Sequence, residues 1–168
     1  IMTGGDAITF LKQSGQVGLK DQKAVFGTMV MDELMGKAVG NMSYGVNSTL
    51  RYHYSIDNPN NNAFVKAFQE KYGELPNQFA GEAYDGMAWF LDVVDSTGSW
   101  DSEDWVNAFE NSTYDKSIEG TKVMRKCDHQ AAQIGVFGKA VKGEAPMPEV
   151  TMEVTHRFDA DLLFPACQ

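Results

Sequence analysis

Asn62-Ala63-Phe64-Val65-Lys66-Ala67-Phe68-Gln69-Glu70-Lys71-Tyr72-Gly73, followed by Pro76-Asn77 and then by Ala83-Tyr84-Asp85-Gly86-Met87, is the most informative stretch of this chain. Ala63, Phe64, Ala67, Phe68, Lys71 and Tyr72 recur at helical spacing. The polar run Asp57-Asn58-Pro59-Asn60-Asn61-Asn62 ahead of them is rich in turn and N-cap residues. Gly73 closes the helix, and Pro76 follows. The strongest helix of the chain comes next, with Ala80, Ala83, Tyr84, Met87, Ala88, Leu91 and Val94 on one stripe, the face an amphipathic helix turns to a core. A third helix starts near Asp101 or Ser102 and carries Trp105, Val106 and Phe109.

Upstream, Gly4-Gly5-Asp6 opens a helix whose apolar face is Ala7, Ile8 and Leu11 and which Gly18 ends. Asp6 favours the positive end of that helix. Ala24-Val25-Phe26-Gly27 is wholly apolar, as a buried parallel strand is. Asp32 to Val39 predicts a short helix stopped by Gly40; Tyr44 to Val46 and Leu50 to Tyr54 are rich in strand formers. Downstream, Gly120 to Arg125, Gln133 to Val141 and Val150 to Phe158 read as strands. The last alternates Val150, Met152, Val154, His156 and Phe158 with polar residues, the period of a half-exposed strand. Helices and strands alternate first, then come three helices, then strands. The order predicts an α/β protein with a parallel sheet flanked by helices.

The 168 residues hold 14 basic and 23 acidic side chains, a net charge of −9, with no basic run. Nucleic acid and anionic membrane are therefore poor partners, and no apolar run reaches the roughly 20 residues that span a bilayer, so no direct membrane insertion is expected. The start, Ile1-Met2-Thr3-Gly4-Gly5-Asp6, has neither the basic nor the apolar region of a signal peptide. It reads as the end of a strand running into a helix, and the chain is expected to be truncated.

Few residues suggest chemistry. Gly4-Gly5 puts backbone N–H groups at a helix N-terminus, but the G-x-G-x-x-G of a dinucleotide site is missing and no cofactor is expected. Cys127-Asp128-His129 admits a metal reading, yet the other cysteine, Cys167, is 40 positions away and zinc wants about four ligands. An oxidised pair tying a loop to the chain end, as in extracytoplasmic proteins, fits better than metal. His53 and His156 fall within strand patterns. The acid pairs Asp32-Glu33 and Glu103-Asp104 read as solvated helix starts, and the chain holds no Gly-x-Ser-x-Gly, His-Glu-x-x-His or P-loop.

The quoted stretch resembles the periplasmic binding proteins of the branched-chain amino acid type, the type I solute-binding fold. A helix ending in Lys71-Tyr72-Gly73, a proline, and a second helix with Tyr84-Asp85 near its start carry that resemblance. Gly4-Gly5, Gly18-Leu19-Lys20, Arg125-Lys126-Cys127-Asp128-His129-Gln130 and Phe164-Pro165-Ala166-Cys167 extend it over nearly the whole chain.

The resemblance implies two α/β lobes joined by three crossovers, with a solute in the cleft between them and only the C-terminal part present here. Residues 1–51 would belong to the second lobe, 52–117 would return to the first, and 118–168 would supply closing strands of the second and a tail. It implies a non-enzymatic, periplasmic or extracytoplasmic protein, monomeric when intact. Such a protein delivers a small-molecule solute to an ABC transporter permease. The alternatives are a ligand-sensing domain of the same fold and an α/β enzyme. Met2, Thr3, Gly4 and Gly5 would line the solute. Met29 falls where amino-acid binders of the family place a carboxylate for the solute's ammonium. An uncharged thioether cannot pair with that charge, and leaving it buried alone is costly; the resemblance implies a small organic solute, amino-acid-like or an aromatic or aliphatic carboxylate, and Met29 favours an apolar or aromatic body whose carboxylate the missing lobe would hold.

Overall fold

The computed structural model describes residues 4–110 and 112–167. Helix α1 (Gly4–Gln16) and a single turn, α2 (Leu19–Gln22), lead into strand β1 (Phe26–Thr28). Helix α3 (Glu33–Val39), a 3₁₀ turn at Gly40–Ser43 and strand β2 (Asn47–Leu50) follow. Then come helices α4 (Pro59–Tyr72), α5 (Gln78–Thr97) and α6 (Ser102–Phe109), and the short strands β3 (Thr113–Tyr114), β4 (Lys122–Met124) and β5 (Ala131–Ala132). The longer strands β6 (Gly135–Lys142) and β7 (Val150–Phe158) precede a last turn, α7 (Ala160–Leu163).

The helix starts are set by side-chain caps. Asp32 accepts from the Met35 amide at 2.7 Å, Asn58 from Asn60 at 2.8 Å, Asn77 from Ala80 at 3.0 Å and Asp101 from Glu103 at 2.8 Å, each stabilising its helix by about 1 kcal/mol. Gly73 and Gly98 close α4 and α5 in the left-handed region.

The chain divides into two compact units: residues up to His53 with Val136–Arg157, and Tyr54–Gly135 with the chain from Phe158 on. In the first, the sheet order is β1-β2-β6-β7, with β1 parallel to β2 and β2 antiparallel to β6. The sheet is thus mixed. Leu11 and Ala7 of α1, Met31, Val39, Val46, Leu50, Tyr52, Val136, Ala140, Val150 and Met152 are buried. Among the described residues β1 stands first in the sheet order, and Phe26 is 58% exposed; the strand expected to be buried is thus exposed there. Strand β2 bridges the two stretches read as strand-rich, and its Ser48 and Thr49 hydroxyls bond the loop that follows β1. The expected alternation of β7 fails. Its first three residues are all buried and its second half is largely exposed. Helix α3 covers only the strand's start, where Gly36 sits so close that a Cβ would lie 2.7 Å from Val150 Cβ.

In the second unit, Trp89 and Val93 of α5 and Tyr114 of β3 form the core, with Ala88, Ala108, Phe109, Met124 and Ala131 around it. Trp89 stacks on Tyr114 at 5.4 Å and meets Phe109 edge-on at 5.4 Å, a geometry that adds to area burial. The buried face of α5 is Gln78, Gly81, Asp85, Trp89 and Val93, not the stripe that spacing picks out; Tyr84, Met87 and Leu91 of that stripe are exposed. Residues 118–135 and the chain from Phe158 on cluster with this unit. The β3-β4-β5 sheet and a disulfide from Cys127 to Cys167 hold them there.

Candidate functional site

Strand β1 ends at Thr28, and Met29 takes a positive φ of 49°, a conformation that bulky residues adopt only where their surroundings impose it. Here β2 imposes it. Thr49 Oγ1 accepts from the Met29 amide at 3.0 Å, and Ser48 Oγ accepts from the amides of Val30 and Met31 at 3.1 Å. Ser48 Oγ–H donates to the Thr49 carbonyl at 2.9 Å. The turn is so close that a Cβ on Gly27 would lie 2.5 Å from Val30 Cγ1, which accounts for glycine at that position. Met31 then drops into the core and Asp32 caps α3.

The result is a rigid loop at the C-terminal end of a parallel strand, carrying the Met29 side chain 45% exposed. Arg51 stands just past β2 on the same alternation as Thr49, and its Nε–H donates to Met29 Sδ at 2.9 Å. Thioether and guanidinium are thus paired beside the strand end, and the exposed Phe26 ring lies 5.5 Å from Phe137. A thioether is a weak acceptor without charge. Arg51 and the two hydroxyls were not singled out in the sequence; the period-two pattern running Asn47, Thr49, Arg51 was the available signal. Asp32 and Glu33 are buried, which corrects their reading as solvated acids. Glu33 Oε1 lies 3.2 Å from His53 Nε2, and Asp32 is engaged in its cap.

Gly4 and Gly5 form the exposed first turn of α1, where the Gly5 carbonyl accepts from Thr9 Oγ1 at 2.9 Å. Met2 and Thr3 lie outside the described residues.

A buried ionisable cluster lies in the second unit. Lys122 Nζ is 2.7 Å from Asp85 Oδ2 and also donates to Glu119 Oε2, all three side chains being buried. Asp85 further accepts from Ser117 Oγ at 2.8 Å and the Ile118 amide at 2.9 Å. Burial lifts the Glu119 carboxyl from its ordinary 4.5 to about 7, against the pull of Lys122. Burial lowers Lys122, but Glu119 and Asp85 outweigh it and its pKa ends raised. The arrangement joins α5 to β4.

Cys127 and Cys167 are bonded, with Cα atoms 5.8 Å apart. Around them Arg125 Nε donates to both carboxylate oxygens of Asp128 at 3.0 and 3.1 Å, and the guanidinium lies over Phe164 at 5.6 Å. The Arg125 hydrogen bond holds Asp128 below the usual carboxylate range. His129 Nε2 lies 3.0 Å from Glu110 Oε1. Hydrogen bonds from Lys126 and His129 hold Glu110 low.

Comparison with known proteins places this geometry. Residues 1–145 match the family described as periplasmic binding protein. No curated protein matches the chain. Among solved structures, an amino acid ABC transporter substrate-binding protein from Pseudomonas fluorescens is 26% identical, with a TM-score of 0.79 over 93% of this chain and 42% of its own. A solute-binding protein of an ABC transporter from Rhodopseudomonas palustris, in complex with 3,4-dihydroxybenzoic acid, is 23% identical. Its TM-score is 0.77 over 95% of this chain and 44% of its own. A leucine-, isoleucine-, valine-, threonine- and alanine-binding protein from Brucella ovis is 18% identical, with a TM-score of 0.81 over 99% of this chain and 44% of its own. The latter two show the fold alone. The chain thus spans under half the length of each.

Proposed function

We infer the function from one premise: this chain belongs to the periplasmic binding protein family, whose members are extracytoplasmic solute-binding proteins. The protein of which it is part captures a small organic solute in the cleft between two lobes. It hands that solute, chemically unchanged, to the permease of an ABC transporter, and acts as a monomer. The two compact units are the portions of the two lobes that this chain contributes. The Cys127–Cys167 bond fits an oxidising compartment.

The observation that carries the reading of the solute is the pairing of Met29 with Arg51 at the end of β1. At the position where amino-acid binders of this fold hold a carboxylate, the chain presents a thioether with a guanidinium against it. That edge suits an apolar or aromatic body and repels an ammonium. Gly4 and Gly5 at the start of α1, and Met2 and Thr3 by resemblance, are further proposed lining residues. The R. palustris protein with 3,4-dihydroxybenzoic acid shows that the fold accommodates such a solute. The test is calorimetry on the intact polypeptide with benzoates, branched aliphatic carboxylates and amino acids, the bound solute being recovered and identified afterwards. Saturable binding of a carboxylate recovered intact is expected. Silence across all three classes, or conversion in proportion to protein added, would overturn the reading.

A further inference from the structure

Arg125 is the hub of the turn that carries Cys127. Its side chain is only 12% exposed, and its Nε donates to both carboxylate oxygens of Asp128. One terminal nitrogen, Nη1, donates to the Pro165 carbonyl, and the guanidinium stands over the Phe164 ring. The other, Nη2, lies 3.0 Å from Asp128 Oδ2 and donates to Cys127 Sγ at 3.5 Å. Among the described residues no donor reaches Cys167 Sγ. Both cysteines are exposed, yet the two sulfurs of the bond stand in unlike surroundings.

Thiol–disulfide exchange breaks a bond toward the sulfur that leaves more readily as thiolate. A cationic donor beside a sulfur favours its thiolate, and an N–H already aimed at Cys127 Sγ needs no rearrangement to receive the charge. The Asp128 carboxylate offsets part of the guanidinium's charge, but the direct N–H donation to sulfur remains. We propose that Cys167 is a thiol-modification site: the thiolate of a small thiol such as glutathione attacks Cys167 Sγ, and Cys127 leaves. A bond forms between the incoming sulfur and Cys167 Sγ. The Cys127–Cys167 bond breaks, and its electron pair goes to Cys127 Sγ, facing Arg125 Nη2. One disulfide replaces another, so no oxidant or reductant is consumed. In reverse, the Cys127 thiolate attacks Cys167 Sγ and expels the small thiol. Arg125 keeps its hold on Phe164 and Pro165 throughout, so the two sulfurs stay close and reclosure is intramolecular. The site is independent of what solute the protein binds.

The test is a positional map of the opened bond. The native, intact polypeptide is exposed briefly to excess reduced glutathione, quenched with N-ethylmaleimide and digested without reductant, and mass spectrometry counts the two products. Glutathione on Cys167 with maleimide on Cys127 should exceed the reverse by about tenfold, the leverage of one charged hydrogen bond on a leaving group. Arg125→Gln should bring the two products near parity and slow the opening. A tail merely loosened by that substitution would open faster instead, so the rate separates help to the leaving group from tethering. Equal labelling of the two cysteines in the parent protein, glutathione chiefly on Cys127, or no exchange at all would overturn the proposal. So would an Arg125→Gln protein that keeps the preference, and the parent map decides alone should that variant fail to fold.

Discussion

Lys122 reaches Asp85 across 2.7 Å with both side chains shut off from solvent, and this contact gives the Tyr84-Asp85 pair in α5 its physical meaning. Asp85 is the acid through which the helix is locked to β4 and to the 117–119 turn, accepting from a hydroxyl and a backbone amide as well as from the ammonium.

A charge left alone in such a place is costly. Asp85→Asn or Lys122→Met should each destabilise the second unit by about 3–5 kcal/mol, while removing the pair together should recover much of the loss. Urea unfolding of the two single variants and the double variant measures this as a coupling energy. A single substitution costing under about 1 kcal/mol would mean that the pair is wet.

Glu119 gives this cluster a pH dependence of defined sign. Its folded pKa, about 7, lies above the ordinary 4.5, so the native state holds its proton where the unfolded chain has released it. Stability from this group is full below about pH 4.5 and declines as pH rises toward 7, by roughly 3 kcal/mol in all at 1.36 kcal/mol per unit. Glu119→Gln should flatten that part of the profile relative to the parent protein. Parallel profiles for the two proteins would refute the assignment.

The helices were legible because their signals are local. Asn58, Asn77 and Asp101 cap as short polar side chains do, and Gly73 ends α4 in the conformation glycine favours. What periodicity could not say is which side of α5 is covered. Spacing picked the Tyr84–Leu91 stripe, but Asp85 and Trp89 turn inward because Lys122 and Tyr114 meet them there. Those partners are 37 and 25 positions away in sequence (122 − 85 and 114 − 89). The site was half legible for a like reason. Met29 was singled out by resemblance, but the hydroxyls of Ser48 and Thr49 that impose its backbone, and the Arg51 guanidinium beside it, arrive only when β2 pairs with β1.

Reduction should loosen the second unit and spare the first. The Cys127–Cys167 bond closes a separation of 40 residues, for which chain entropy gives about 4 kcal/mol, a ceiling for the measured effect. Cys127→Ser with Cys167→Ser should lower the urea midpoint of the second unit, followed by tryptophan fluorescence, since Trp89, Trp100 and Trp105 all lie there. An unchanged midpoint would show that the Arg125–Asp128 and Arg125–Phe164 contacts hold the tail by themselves.

The most discriminating prediction concerns Met29. On the proposed match of Met29 to the carboxylate position of amino-acid binders, a thioether with Arg51 against it at 2.9 Å gives an ammonium no charge partner there. A hydrogen bond to a charged group contributes about 1.5–3 kcal/mol, so its loss weakens an amino acid at least about tenfold. The intact polypeptide should therefore bind 4-methylpentanoate more tightly than leucine, a pair differing only in the amino group. Met29→Glu should narrow or reverse that order, because the new carboxylate both receives the ammonium and pairs with Arg51. Arg51→Gln, by contrast, should weaken the carboxylate without rescuing leucine. Calorimetry on the three proteins with the matched pair separates these outcomes. Clear preference for leucine by the parent protein would remove Met29 from the ammonium position and leave family membership untouched, because that rests on the match over residues 1–145.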